Sequence, residues 1–197
     1  MNTSLPLAIL LGVLTNPLSS PAQSIESAAV AREEYAIYSV ALKALDEEFQ
    51  YHTPELVISN PTIKGWALTK GSVQFVYPGP TGAPETFADY LQRNKTNRWL
   101  ERRLDLNFKY EIVGIEEIKK LVNNFQPLPE WKEFSEKYRG AAGFVAVSRV
   151  GLNPPMDEAL VYLSWQCGTL CGRGEAMLLS KPDGQWEIVN RSTVVVY

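Results

Sequence analysis

From residue 144 onward the chain is a series of short alternating runs separated by clear turn signals, and this pattern leaves few folds open to it. Residues 144–150 and 159–165 read as strands, with Leu160, Tyr162 and Ser164 opposed to Val161, Leu163 and Trp165. Residues 175–180, 185–190 and 193–196 continue the pattern. Between two of them, Lys181-Pro182-Asp183-Gly184 is hairpin punctuation, because proline presets one turn dihedral and glycine accepts the positive φ. Strands joined this tightly pair antiparallel. The expected class is α+β: a mainly antiparallel C-terminal sheet, a meander of about four strands with one polar face, packed by a long N-terminal helix and accompanied by additional short helices.

Residues 25–49 supply that helix. Val30, Ile37, Ala41, Leu45 and Phe49 recur mostly at four-residue spacing, and charges fall between them. On this pattern Glu33 and Glu34 belong to a solvated face. Pro54 ends the helix, and 55–59 form a strand closed by Asn60-Pro61. A second strand is expected at 73–77, and the proline- and glycine-rich 78–84 is a loop. A helix starts at Thr86 or Asp89 and runs through Leu91, Trp99 and Leu100, with Asn94-Lys95-Thr96-Asn97 as a point where it divides. The basic residues from Arg93 to Arg103 read as a solvated helix face. Residues 104–112 alternate like a strand, and 115–125 and 130–138 have helical spacing.

The first residues have the pattern of an export leader. An apolar and small-residue run from 5 to 14 is too short to span a bilayer as a helix, and Ser20-x-Ala22 precedes a cut ahead of Gln23. The expected organisation is a signal peptide at 1–22 and a single domain at 23–197, periplasmic or secreted, with no membrane span in the mature chain. A net charge of -3 gives no electrostatic case for a nucleic-acid partner.

Both cysteines lie in residues 165–174, Trp-Gln-Cys-Gly-Thr-Leu-Cys-Gly-Arg-Gly. In an exported chain Cys167 and Cys171 suggest a local disulfide, the alternatives being two small buried thiols or a redox pair. Zinc lacks ligands, since His52 is the only histidine, and no cofactor loop is present. Arg173 with the backbone of Gly172 and Gly174 either binds an anion or serves a tight turn. Arg149, in mid-strand, either clamps a ligand or pairs with Glu33, Glu34 or Glu158. Trp165 either lines a groove or belongs to the core. These five residues are the candidate ligand-binding set.

Trp131, Phe134 and Tyr138, then Val147-Ser148-Arg149-Val150-Gly151-Leu152-Asn153, Cys167-Gly168-x-Leu170-Cys171-Gly172-x-Gly174 and Gly184-x-Trp186 resemble the pattern of a group of uncharacterised exported bacterial proteins. The likeness covers residues 131–190. It implies export and a domain type, and brings no catalytic residue or substrate with it. The expected function is a non-enzymatic binding or interaction domain for a small ligand or an envelope protein; the alternative is an envelope hydrolase acting on a polar substrate.

Overall fold

A computed structural model describes residues 21–49, 55–63, 83–122 and 131–196. The strand-forming C-terminal third builds β3 (Phe144–Val147), β4 (Gly151–Leu152), β5 (Glu158–Gly168), β6 (Cys171–Ser180) and β7 (Glu187–Val196). β5, β6 and β7 are an antiparallel meander, and β3 and β4 both pair antiparallel with β5, end to end along its free edge. Two strands from earlier in the chain extend the sheet. β1 (Glu55–Asn60) lies parallel to β3, and β2 (Lys109–Gly114) lies parallel to β1.

The α+β class therefore holds, but the sheet is mixed rather than mainly antiparallel, with seven strands in the order β2-β1-β3-β5-β6-β7 and β4 beside β5. The expectation of one polar face also fails at its centre, where residues 159–164 are all buried. Both sets of alternating side chains on β5 and β6 are largely apolar, and each finds a cover. Val161, Leu163, Met177 and Leu179 pack with Tyr35, Ile37, Tyr38, Ala41, Leu42 and Leu45 of α1 (Pro21–Phe49). Leu160, Tyr162, Ala176 and Leu178 pack on Tyr90 of α2 (Pro84–Arg93). A third cluster joins Val57, Val113 and Phe144 to α3 (Ile115–Leu121) and α4 (Lys132–Lys137) through Ile118, Phe134 and Tyr138.

Two boundaries differ from the expected ones for identifiable reasons. α2 stops at Arg93, because Asn94 turns its side chain back to the Tyr90 carbonyl at 2.9 Å instead of continuing the helix. Residues 104–108 are not strand: Leu104 is buried among core residues without a ladder partner, and β2 begins at Lys109. The expected strand at 73–77 and most of the 78–84 loop lie outside the described residues, as does His52.

α2 approaches the sheet where β4 offers no side chain. A Cβ at Gly151 would lie 2.5 Å from the Thr86 carbonyl oxygen and 2.6 Å from Tyr90 Cα. Glycine is what permits that contact. At the N-terminus of the helix, Glu158 of β5 accepts hydrogen bonds from the Thr86 hydroxyl at 2.6 Å and the Ala83 N–H at 3.3 Å. Among the described residues no helix is long and apolar enough to cross a membrane.

Candidate functional site

Two adjacent glutamates of α1 are buried, against the expectation of a solvated face: Glu34 is 0% exposed and Glu33 is 6% exposed. The helix explains the first of them. Glu34 falls four residues after Val30 and four before Tyr38, inside the apolar stripe rather than opposite it. A buried carboxylate needs partners, and Glu34 finds three guanidinium groups. Arg149 donates from Nη2 to Oε1 at 3.2 Å, Arg98 donates to Oε2, and Arg93 Nη1 is 3.8 Å from Oε1.

Each arginine is positioned by its own element. Arg93 ends α2 and is aimed by Asp89, whose Oδ2 accepts from its Nε at 2.5 Å and from the Leu152 N–H at 2.9 Å. Arg98 lies on the strap after α2, where its N–H donates to the Thr62 hydroxyl at 2.8 Å and its carbonyl accepts the Thr62 N–H at 2.9 Å. Nearby, the Asn60 side chain holds Leu100 at both its N–H and its carbonyl. Arg149 sits at the bend between β3 and β4, with its N–H given to Asn94 Oδ1 at 2.9 Å and its carbonyl accepting from Asn94 Nδ2 at 2.9 Å. Beneath them the Tyr38 hydroxyl donates to the Ser148 carbonyl at 2.9 Å. Burial and the nearby Glu34 charge push that hydroxyl well above its ordinary pKa, so it remains a neutral donor.

Glu33 faces the other way, onto an open groove of about 700 Å³ that runs along α1. Its Oε2 accepts from Lys181 Nζ at 2.7 Å and from Trp186 Nε1 at 2.7 Å. Burial alone would push the carboxyl upward, but these two hydrogen bonds and the charges of Lys181 and Arg32 outweigh it and hold Glu33 below its ordinary value of 4.5. The groove is floored by Tyr35, Ala36, Val40 and Trp186. Among the described residues its rim carries Arg32, Lys43, Arg103 and Lys181 against Glu33 and Asp105. Tyr35 joins the two regions: Arg98 and Arg103 each stand over its ring at 5.8 Å.

The candidate residues from the sequence are divided between separate places. Arg149 gives Nη2 to Glu34. Arg173 is on β6, opposite Trp165, with its Nε 2.7 Å from Glu175 Oε1, and Arg191 approaches the other oxygen of Glu175 at 2.6 Å. Gly172 and Gly174 lie within β6, and Gly174 is paired with both Ser164 and Val195, so the run is ladder rather than an open anion-binding turn. Trp165 is half-buried and lines a small pocket of about 270 Å³ with Trp131, Phe134 and the cysteines. Cys167 and Cys171 are joined by a disulfide across the hairpin end, beside an exposed Leu170.

Arg93, Arg98 and Trp186 are not among the candidate site residues legible in the sequence, and Glu33 and Glu34 enter there only as possible partners of Arg149. The run from Arg93 to Arg103 is not one solvated helix face: two of its arginines turn inward to Glu34. The signal that was present is a charge on the apolar stripe of α1. Among the described residues no three His, Cys, Asp or Glu side chains gather as a metal site requires.

Compared with known protein families, curated proteins and solved structures, the chain matches none. The function has to be read from the site itself.

Proposed function

We propose that this is an exported binding protein, not an enzyme, and that its ligand lies in the groove along α1. The groove carries the reading. Its volume of about 700 Å³ is of small-molecule scale, and it combines an aromatic and aliphatic floor with a rim of four cations against two carboxylates. That combination suits an organic anion with an apolar body, whose charge meets Arg32, Lys43 or Arg103 while its rings or chain lie over Tyr35 and Trp186. The one deeply buried carboxylate there, Glu33, is already occupied by Lys181 and Trp186. It is placed to hold Trp186 in position rather than to exchange protons with a substrate. The disulfide supports export, because such bonds persist in oxidising compartments.

The test is a fluorescence titration with 1-anilinonaphthalene-8-sulfonate, an aromatic sulfonate of the proposed class, on protein shown to be native by near-UV circular dichroism. Saturable one-to-one binding is expected, weakened by about tenfold or more in Arg103→Glu, which reverses a rim charge, and in Ala36→Glu, which fills the floor. Binding that is absent, or equal in both variants, would contradict the reading.

A further inference from the structure

The arginine cluster over Glu34 contains more positive charge than its structural task needs. Arg93, Arg98 and Arg149 face Glu34 and Asp89, so the described residues leave one cation unbalanced. A guanidinium has five N–H donors, and among the described residues each of these three spends a single one on a carboxylate hydrogen bond. None is sealed off: their side chains are 20%, 25% and 19% exposed, over a Glu34 that is 0% exposed.

One donor lacks an acceptor. Arg149 Nε is buried and has no hydrogen-bond partner among the described residues, although its Nη2 is held by Glu34. An unpaired buried N–H is costly, and an acceptor supplied from outside removes the cost. We propose that Arg93, Arg98 and Arg149 form a binding site for a small carboxylate, which Arg149 holds through Nε while Glu34 fixes the three guanidinium groups from below. The single unbalanced charge selects a monoanion over a dianion. The planar fork of arginine matches the two oxygens of a carboxylate. This site stands apart from the α1 groove and does not depend on it.

The experiment follows the arginine Nε–H signals of 15N-labelled protein by NMR during titration with sodium acetate, and separately with sodium chloride and sodium sulfate at matched ionic strength. The Arg149 signal is assigned by its loss in Arg149→Lys, which keeps the charge beside Glu34 and therefore the fold. Expected is a saturable shift of the Arg149 Nε–H with acetate, with no equal shift at Arg32 or Arg103. Acetate affinity, read from backbone amides around residue 149, should fall by about tenfold in Arg149→Lys. Three outcomes would overturn the proposal: no saturable shift, the same shift with chloride, or tighter binding of sulfate than of acetate.

Discussion

The molecule has two conspicuous ties, the Cys167–Cys171 disulfide and the Glu34 arginine cluster, and they differ in what they hold. The disulfide joins residues four apart, within one hairpin already paired along most of its length. Glu34 joins α1 to residues 64 and 115 positions away, and through Arg93 to α2 as well. Closing a short loop removes little chain entropy, whereas a contact across the whole domain can form only when the helix, the strap and the β3–β4 bend are all in place. The covalent tie is local and the ionic one organises the fold.

Three variants sharpen that contrast. The largest effect is expected from Glu34→Ala, which leaves three guanidinium groups facing one another with only Asp89 nearby. Equilibrium urea unfolding should show a loss of about 3 kcal/mol, the low end for breaking a buried pair, because each arginine still reaches water. Replacing both Cys167 and Cys171 by serine should cost about 2 kcal/mol in the same measurement, as expected for so short a loop. A larger loss than that of Glu34→Ala would reverse the ranking. Glu33→Gln should cost about 1 kcal/mol at neutral pH, since the amide still accepts from Trp186 but loses the charge that strengthens the bond.

Glu33 also supplies a pH signature. Its carboxyl is held below its ordinary value of 4.5 in the folded protein, so its contribution is complete above that pH and disappears as pH falls through the folded value. Wild type should therefore lose more stability than Glu33→Gln between about pH 6 and about pH 3. Glu117, lowered by Lys137 and Tyr138, follows the same direction but is present in both proteins and cancels from the difference.

Much of the architecture could be read in the sequence because it is encoded locally. The alternation on β5, the Pro-Asp-Gly turn before β7 and the four-residue stripe on α1 are short-range patterns whose meaning does not depend on distant residues. What could not be read is what depends on pairing across the chain. Nothing near residues 55–60 says that the strand lies parallel to both Lys109–Gly114 and Phe144–Val147, since a βα crossover has no turn signature of its own. The polar face predicted for the meander was lost for a similar reason: Tyr162 and Ala176 fit a surface until Tyr90 arrives from α2. For the site, Arg149 was legible because a charge inside an apolar run demands a partner, and Glu34 was among the partners considered, although Arg149 stands at the bend between β3 and β4 rather than in mid-strand. Arg93 and Arg98 looked solvated because a basic run gives no sign of which members turn inward.

The central claim, that Glu34 and not the disulfide holds the domain together, is tested most directly by native-state hydrogen exchange of wild type, Glu34→Ala and the double cysteine variant. In Glu34→Ala the amides of α1 from about residue 34 to residue 45 should lose protection first, while the centre of β5 and β6 stays closed. In the cysteine variant the loss should be confined to residues 165–174. Protection of α1 unchanged by Glu34→Ala, or lost when the disulfide is removed, would contradict it.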